Sequence, residues 1–576
     1  MTKTTTATPI SLDLLKEQGN APDWLTDHGL KTLQAGYLLP DETPKGMWQR
    51  ISSAAAERLQ KPEMTERFFD LFWKNWLCPA TPVATNMGTK RGLPISCFSA
   101  YIPDSVDGIM TSMHEIAMLS KHGGGIGSYY GALRPRGSKI KGNGKTDGIV
   151  PFLKILDSTI SGISQGGVRR GAAAAYLPIE HGDYDEFVNI RKPHGDVNRQ
   201  CLNLHHGVTV GDEFMEKVIK GDKKSREKWR ELLKTRMETG EPYIMFRDSV
   251  NRHRPECYKQ NGLEVSTSQL CSEIVLFNDE LHTFVCCLSS MNLARWDEWK
   301  DTDAIQVATW FLDGVMTEFI DRAKQIPGFE NAVRFSEKSR ALGLGVLGWH
   351  SLLQSKMFSM DSFDAYMLNN VIFKKLREEA EKATADLAAE YGEPEWCKGF
   401  NRRNTHLLAC APTASNSIIS GDQSAGIEPY AANAFSHKTA KGTFLQKNRF
   451  LEKLLEDKEM NTIEVWRSII TNEGSVQQLD FLSEEEKAVF LTAREMNMFT
   501  LIKLAGARQK WLDQTQSLNL FFPANASADY LNKVHLEAWK SGVQTLYYCR
   551  ASSVLKGDSG TREYKRESSE CTMCEG

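Results

Sequence analysis

FVCCLSSMNL (284–293), IQVATWFLDGVMTEFI (305–320) and LGLGVLGWH (342–350) follow one another in the middle of the chain. The first and third segments are short apolar runs of the β type. The second places Ile305, Leu312 and Phe319 on one stripe of a helix. A strand, an amphipathic helix and a second strand in this order predict two parallel strands joined by a helical crossover.

The same alternation extends outward in both directions from this unit. Further β-type runs are AAAAYLPI (172–179), HGVTV (206–210) and HLLACAP (406–412), and long amphipathic helices separate them. Before them, helical spacing of apolar residues in EMTERFFDLFWKNWL (63–77) predicts a helical N-terminal region. We therefore expect an α/β protein with a helical region over 1–79, an α/β domain over 80–550 and a flexible tail over 551–576.

Composition excludes several classes of function. The 576 residues carry 70 Lys and Arg against 73 Asp and Glu, a formal charge of −3, without basic blocks. Nothing predicts a nucleic-acid-binding face or a membrane-surface helix. The sequence shows no signal peptide and no apolar run of membrane-spanning length, so we expect a soluble cytoplasmic protein. Its 12 cysteines, without regular spacing, favour thiols that are kept reduced or cycled by chemistry.

Two glycine-rich segments combine backbone amides with basic side chains. These are KHGGGIGSYYGALRPRGSKIKGNG (121–144) and SQGGVRRGAAAA (164–175). Neither has the glycine spacing of a dinucleotide-binding turn or of a P-loop. Each is either an anion-binding loop or an ordinary surface loop.

The terminal segment ECTMCEG (570–576) places Cys571 and Cys574 on a polar tail. Such a pair can bind zinc, exchange with another disulfide, or have no role. Because no second ligand pair lies nearby, we favour exchange, which requires a buried partner disulfide. A tether of about 20 residues has a root-mean-square reach of roughly 25 Å.

The segment TSQLCSEIVLFNDELHTFVCCLSSMNL (267–293) contains the densest chemistry. Cys271 and Glu273 are two residues apart, so an extended segment can project both to one side. Cys286 and Cys287 follow within a β-type run. The alternative interpretation is that such cysteines are small buried hydrophobic residues.

Several motifs, taken together and in order, resemble the large catalytic subunit of class I ribonucleotide reductases. They are SxLCSEI followed by CxLSxxNL, TP sixteen residues ahead of SC, SQGGVRxGAA, TLYY near the end, and the terminal CxxC. The resemblance covers the chain from about residue 80 to the C-terminus.

The resemblance implies a radical reaction on a ribonucleotide. Cys271 matches the cysteine that becomes a thiyl radical and abstracts the 3′ hydrogen, and Glu273 matches the carboxylate that accepts the 3′-OH proton. Cys97 and Cys286 match the dithiol that reduces the 2′ position, and the motif register selects Cys286 over Cys287. Gln269 stands where the family usually has asparagine, so the amide is retained on a side chain that is one methylene longer.

Further matches concern the radical path and substrate binding. Tyr547 and Tyr548 match the stacked pair that relays the radical from a partner subunit. The residues that match substrate diphosphate ligands are Thr81, Ser96, Ser415, Asn416 and Ser417. Ala414 stands where some class I members have glutamate.

The resemblance also implies an allosteric specificity site for a deoxynucleoside triphosphate or ATP. Asp104 and Ser105 match its start, and Arg134 is a further expected contact. Gln165 and Arg169 match the loop that relays effector identity to the substrate base. The short N-terminus predicts no ATP-cone and hence no shut-off by dATP through a cone.

The implied fold is a ten-stranded α/β barrel of two parallel five-stranded halves, with a central finger loop that carries Cys271. The implied partners are a radical-generating small β subunit with a metal-containing radical cofactor, thioredoxin or glutaredoxin, and a second copy of the chain when effector is bound. No cofactor or metal is expected in this chain, and a phage-encoded enzyme would work in the host cytoplasm. The alternatives are an adenosylcobalamin-dependent class II reductase, which TLYY disfavours, and a noncatalytic nucleotide-binding regulator, which has no use for the matched cysteines.

Overall fold

The computed structural model describes residues 11–163, 171–439 and 442–551. Within these ranges the strands are β1 (Leu77–Pro79), β2 (Cys97–Tyr101), β3 (Gly125–Tyr129), β4 (Ala172–Pro178), β5 (His205–Val210), β6 (Tyr243–Phe246), β7 (Phe284–Asn292), β8 (Leu342–Leu347), β9 (Ala434–Thr439), β10 (Gly442–Lys447), β11 (Leu520–Phe522), β12 (Thr545–Leu546) and β13 (Cys549–Ala551).

Helices α1 to α11 precede β1, connect the strands from β1 to β6, or directly follow β6. They are α1 (Leu12–Glu17), α2 (Asp27–Gln34), α3 (Pro44–Arg58), α4 (Met64–Trp73), α5 (Thr81–Asn86), α6 (Val106–Lys121), α7 (Val150–Gly162), α8 (Tyr184–Phe187), α9 (Asp212–Lys220), α10 (Lys223–Thr239) and α11 (Arg247–Arg252).

The later helices begin with α12 (Glu256–Gln260), which leads into the segment before β7. The others are α13 (Trp296–Trp299), α14 (Ala304–Ala323), α15 (Glu330–Ser339), α16 (Trp349–Ser355), α17 (Phe363–Tyr391), α18 (Ala414–Ile419), α19 (Arg449–Asp457), α20 (Ile463–Thr471), α21 (Glu484–Val489), α22 (Met498–Gln509) and α23 (Ala528–Lys540). Short 3-10 turns cover Val197–Arg199, Leu293–Arg295 and Glu395–Cys397.

One half of the sheet is a run of five parallel strands, in the order β2, β3, β4, β5 and β6. The other half begins with the parallel pair β7 and β8, which confirms the crossover predicted over 284–350. It continues through isolated parallel bridges from Leu344 to Leu408 and from Cys410 to Gln516. The Tyr547 amide then donates to the Leu518 carbonyl at 2.9 Å, which brings in β12.

Two antiparallel seams join the halves into a closed barrel. β2 pairs with β7 at one seam, and β12 pairs with β6 at the other. The expected ten-stranded α/β barrel is therefore confirmed.

The run at 406–412 differs from the regular strand that its sequence predicts. The Asp513 carboxylate accepts hydrogen bonds from the amides of Leu407, at 2.9 and 3.1 Å, and Leu408, at 2.8 Å. A buried carboxylate thus takes amide hydrogens that a regular strand would give to its neighbour. The segment consequently pairs through single bridges.

Helices α1 to α4 form the helical N-terminal region and pack on the barrel through α14. Phe311 on α14 contacts Phe68 and Phe72 of α4 edge-on, with ring centroids 5.5 and 5.1 Å apart. Leu451, Trp466 and other buried residues of 434–490 form a separate, smaller core. Among the described residues, the structure contains no helix with the length and apolar character needed to span a membrane.

Strand β4 shows how the barrel makes room inside. Ala173, Ala175 and Leu177 belong to the main core, whereas Ala172, Ala174 and Tyr176 belong to a separate cluster that also contains Cys271. The side chains of a strand alternate between its two faces, so these two sets mark the helix-facing and the interior faces. Small side chains on the interior face leave space for the segment that carries Cys271.

We call residues 267–276 the finger loop. This segment lies between α12 and β7 in the sequence and enters the interior of the barrel. It passes directly over β3 at Gly127. A Cβ atom built on Gly127 would lie 2.1 Å from the Ser268 carbonyl oxygen and 2.9 Å from the Gln269 Cα. It would also lie 2.8 Å from the Ser99 hydroxyl oxygen. Because the Ser268 and Gln269 atoms belong to the backbone of the loop, only glycine fits there without displacement of the loop.

Gly127→Ala is therefore expected to displace the finger loop and to lower the free energy of unfolding by about 1–3 kcal/mol, as overpacking of a core does. The buried Cys271 thiol should then react faster with a thiol reagent, which labelling and mass spectrometry of the Cys271 peptide can measure.

Gly162→Ala is the matched control. Gly162 ends α7, and a Cβ there meets no atom within 4 Å. This variant should keep the stability and the Cys271 labelling rate of the parent protein. Equal labelling of Cys271 in both variants and the parent would contradict the assignment of Gly127 as the seat of the loop.

Candidate active site

Hydrogen bonds hold the finger loop in a tight turn. The Gln269 amide donates to the Ile274 carbonyl at 3.2 Å, and the Gln269 side-chain oxygen accepts from the Ile274 amide at 3.1 Å. Ser272 adopts a left-handed conformation with φ of 72° at the turn. The Tyr176 hydroxyl donates to the Gln269 carbonyl at 2.8 Å. The turn places Cys271 at the tip of the loop, inside the barrel.

Glu273 lies beside Cys271 in the barrel interior and is 1% exposed. Burial raises the pKa of its carboxyl to about 7, against the opposing hydrogen bonds of Gln269 and Ser517. A carboxyl whose pKa is close to neutrality is suited to accept and release a proton near pH 7.

Cys97 and Cys286 lie directly opposite each other across the antiparallel seam of β2 and β7. Directly paired residues of antiparallel strands have Cα atoms about 4.5–5.5 Å apart, within the range that a disulfide needs. Cys287 points to the other face, where its thiol contacts the Leu312 carbonyl of α14 at 3.4 Å. The pair expected from the sequence is thus positioned to form a disulfide, and Cys287 is excluded from it by the alternation of the strand.

The Gln514 side chain connects this pair to the finger loop. Its Nε2 donates to the Cys286 sulfur at 3.3 Å, and its Oε1 accepts from the Val275 amide at 3.3 Å. Burial raises the pKa of the Cys286 thiol well above its ordinary value, which keeps it protonated. Gln514 thereby links Cys286 to the finger loop that carries Cys271 and Glu273.

The rings of the two tyrosines of TLYY lie against each other, tilted, in the cluster that contains Cys271. The rings of Tyr547 and Tyr548 have centroids 4.3 Å apart at an angle of 50°. Both belong to the buried interior cluster that contains Cys271. A third ring, that of Tyr243, lies 4.8 Å from Tyr547 and 5.2 Å from Tyr548. The Tyr548 hydroxyl lies 3.5 Å from His205 Nδ1.

The expected diphosphate ligands come from three places in the chain. Thr81 is the first residue of α5, Ser96 immediately precedes β2, and 415–417 lies on α18. The Thr81 hydroxyl lies 3.4 Å from Asn416 Oδ1, so α5 and α18 meet here. The side-chain amide of Asn416 donates through Nδ2 to the Pro79 carbonyl at 3.2 Å, and the Ser417 hydroxyl donates to the Ala414 carbonyl at 2.8 Å. Both side chains thus have contacts within the protein that the sequence did not predict.

The structure brings the three expected effector contacts together on the surface. The Arg134 guanidinium pairs with the Asp104 carboxylate at 2.8 Å. Ser105 caps α6 by accepting a hydrogen bond from the Gly108 amide at 3.0 Å. Ser105 thus has a structural role as the N-cap of α6. The ion pair of Asp104 and Arg134 lies next to it on the surface, where both side chains are partly exposed.

Four expected site residues, Gln165, Arg169, Cys571 and Cys574, lie outside the described residues. Of the glycine-rich segment 121–144, Gly125–Tyr129 is strand β3, so these glycines pack against the finger loop. Within 11–163, 171–439 and 442–551, no three His, Cys, Asp or Glu side chains are grouped so that they could hold a metal ion.

Several residues around the finger loop were not predicted from the sequence. They are Tyr176, His205, Tyr243, Gln514 and Ser517. One signal was available: DQTQS (513–517) is a run of five polar residues immediately before the apolar LNLFF. All five are buried, as polar residues are when they serve an interior site.

Family models match most of the chain. The model described as the ribonucleotide reductase barrel domain matches residues 95–226, 220–403 and 395–549. The model described as the ribonucleotide reductase all-alpha domain matches residues 23–92.

Individual relatives agree with these models. The chain is 40% identical over 534 residues to a Frog virus 3 (isolate Goorha) protein named as a candidate ribonucleoside-diphosphate reductase large subunit, covering 90% of this chain and 93% of that protein. It is 36% identical over 628 residues to the ribonucleoside-diphosphate reductase large subunit of Invertebrate iridescent virus 3, covering 95% and 98%.

A solved structure supports the same assignment at the level of the fold. The Actinobacillus ureae class Id ribonucleotide reductase alpha subunit superposes with a TM-score of 0.86 at 42% identity, covering 93% of this chain and 99% of that one. These relatives favour a class I large subunit over the adenosylcobalamin-dependent alternative. The chain therefore belongs to the ribonucleotide reductase large-subunit family.

Proposed function

We propose that the protein reduces ribonucleoside diphosphates to 2′-deoxyribonucleoside diphosphates by radical chemistry. One observation carries the proposal: a finger loop holds Cys271 and Glu273 in the buried barrel interior, and Gln514 links this loop to Cys286 of the Cys97 and Cys286 pair. A radical thiol, a base and a dithiol are the three groups that this reduction requires.

Cys271 starts the reaction. As a thiyl radical it abstracts the 3′ hydrogen of the ribose, and its sulfur becomes a thiol again. Burial of the Cys271 side chain, which is 5% exposed, supports this role because it keeps a reactive sulfur away from water. Tyr547 and Tyr548, whose tilted rings lie 4.3 Å apart in the same interior cluster, relay the radical from a small subunit that contains the metal cofactor.

Glu273 accepts the proton of the 3′-OH. Its pKa of about 7 supports this role, since the carboxylate and the carboxylic acid are then both accessible near neutral pH. Gln269, which hydrogen-bonds within the turn, positions the loop and contacts the substrate in place of the usual asparagine.

Cys97 and Cys286 supply the electrons for reduction of the 2′ carbon. The two thiols lose two hydrogens and form one disulfide, and the 2′-OH leaves as water. Thr81, Ser96, Ser415, Asn416 and Ser417 hold the diphosphate at the meeting point of α5 and α18.

Cys571 and Cys574 then reduce the buried disulfide by thiol exchange and are themselves reduced by thioredoxin or glutaredoxin. The burial of Cys97, 8% exposed, and Cys286, 0% exposed, supports this step because a protein reductant cannot reach them directly.

Regulation completes the proposal. Asp104, Ser105 and Arg134 bind a deoxynucleoside triphosphate or ATP, and Gln165 and Arg169 relay its identity to the substrate base. The effector-bound enzyme is a homodimer in the cytoplasm, or in the host cytoplasm for a phage-encoded protein. The working units are the helical region 1–79, the barrel 80–550 and the redox tail 551–576.

Cys271→Ser tests the function. The variant should form no deoxyribonucleotide with any class I small subunit that activates the parent protein, because a serine hydroxyl does not provide a thiyl radical. Binding of the ribonucleoside diphosphate, followed by calorimetry, should be retained. Turnover by this variant would refute the proposed mechanism, and turnover of the parent protein with adenosylcobalamin alone would favour the class II alternative.

The neighbouring thiols Cys286 and Cys287 offer a matched pair. Both variants are tested in a single turnover without external reductant. Cys286→Ser should form no product and should not show the oxidation of two thiols that the parent shows. In Cys287→Ser, the Cys97 and Cys286 thiols should be oxidised as in the parent protein. Mass spectrometry of alkylated peptides identifies the oxidised pair. A disulfide between Cys97 and Cys287 would show that the strand register has been assigned to the wrong cysteine.

The double change Cys571→Ser and Cys574→Ser tests the tail. Multiple turnover with thioredoxin should fall to background, because the buried disulfide is no longer reduced. One turnover of prereduced enzyme, and turnover supported by dithiothreitol, should persist. Loss of that single turnover would mean that the tail acts in another way.

A further inference from the structure

Ser517 makes two short contacts between the catalytic groups. Its hydroxyl oxygen lies 2.6 Å from the Cys271 carbonyl oxygen and 2.9 Å from Glu273 Oε2. Ser517 and Glu273 are each 1% exposed. The Ser517 amide donates to the Cys410 carbonyl at 2.9 Å, which fixes the backbone that carries this hydroxyl. Both contacts are therefore buried and geometrically restrained.

Counting hydrogens shows why the two contacts depend on each other. A serine hydroxyl has one hydrogen to donate, whereas a main-chain carbonyl and an ionised carboxylate only accept. When Glu273 is ionised, two acceptors compete for the single Ser517 hydrogen. When Glu273 is protonated, its carboxyl donates to Ser517, and Ser517 donates to the Cys271 carbonyl.

No permanently charged group is among the causes of the shifted pKa of Glu273; burial is the largest, opposed by hydrogen bonds from Gln269, its own backbone and Ser517. The titratable side chains that interact electrostatically with it are the Tyr176 phenol and the thiols of Cys286 and Cys410, and the Cys271 thiol lies two residues away in the finger loop. Burial raises the pKa of the Tyr176 phenol and of the Cys286 and Cys410 thiols, so these groups stay neutral while Glu273 titrates. The Ser517 hydrogen can follow the charge of Glu273, because rotation of the hydroxyl moves it between the Glu273 carboxylate and the Cys271 carbonyl.

We propose that Ser517 is a positioning residue that couples the protonation state of Glu273 to a hydrogen bond on the Cys271 carbonyl. This inference rests on the proposed function, in which Glu273 takes the 3′-OH proton. Before that transfer, Ser517 donates to the Glu273 carboxylate and stabilises the basic form. After it, Ser517 keeps its own proton but donates it to the Cys271 carbonyl, which anchors the tip of the finger loop.

Ser517→Ala removes the donor that stabilises the ionised carboxylate, so the pKa of Glu273 should rise. Because the base must be ionised to act, the acid limb of kcat against pH should move up by about one pH unit. Ser517→Thr retains the hydroxyl, so its acid limb should lie at the same pH as in the parent protein. The assay uses the full chain with its small subunit, a ribonucleoside diphosphate and dithiothreitol.

Ser268→Ala is the matched control for loss of a buried hydroxyl from the same site. The Ser268 hydroxyl holds the finger loop by donating to the Ile274 carbonyl at 2.8 Å. This variant should lower kcat at all pH values without moving the acid limb. If Ser517→Ala also lowers kcat without moving the limb, Ser517 only supports the loop and the inference is wrong.

A second measurement needs no turnover. Infrared difference spectra are recorded against pH on protein labelled with [1-¹³C]cysteine. The Cys271 carbonyl band is identified by its loss in Cys271→Ser, and it is followed together with the Glu273 carboxyl band. In the parent protein the two bands should change with one midpoint, and in Ser517→Ala the Cys271 band should no longer respond.

The two experiments separate failure of this inference from failure of the proposed function. Coupled bands in a protein that does not reduce ribonucleotides would refute the function and leave the coupling in place. A Cys271 band that is independent of pH in an active reductase would refute the coupling and leave the function in place.

Discussion

The antiparallel pairing of β2 with β7 is the constraint on which the rest of the structure depends. Each of the two parallel half-sheets begins at this seam, so the barrel closes only if the seam forms. The register of the same seam sets Cys97 opposite Cys286. A shift by one residue would turn Cys286 toward the helices and Cys287 toward the interior, because side chains alternate along a strand. The architecture and the dithiol are thus specified by one set of backbone hydrogen bonds.

The barrel interior is built to receive a polar loop. Alanines on β4 and glycine at 127 leave the space, and the Tyr176 hydroxyl and the Gln514 amide supply hydrogen bonds that the loop backbone would otherwise lack. Burial then raises the pKa of Glu273 to about 7 and keeps the Cys286 thiol protonated. The same exclusion of water that makes the loop costly to fold makes its chemistry possible.

Much of the fold and of the candidate active site could be predicted from the sequence, but the basis of the prediction differs from one element to another. The crossover at 284–350 followed from hydrophobic periodicity, whereas the choice of Cys286 over Cys287 came from the motif register of the family resemblance. The alternation of β7 agrees with that choice, because the Cys287 thiol contacts the Leu312 carbonyl on the other face. The strand count and the closure of the barrel came from family resemblance, since pairing between distant segments leaves no local pattern. Ser517 and Gln514 were missed because their role depends on contacts with residues more than 200 positions away. The Asp513 carboxylate likewise altered the pairing of 406–412 in a way that no local pattern could indicate.

The most direct test is a structure of the full chain with a ribonucleoside diphosphate bound. The account predicts a ribose inside the barrel, with its 3′ carbon toward the Cys271 sulfur, its 3′-OH on Glu273 and its 2′-OH toward Cys97 and Cys286. A nucleotide whose ribose lies outside the barrel, or whose 2′ and 3′ positions face away from these groups, would contradict it.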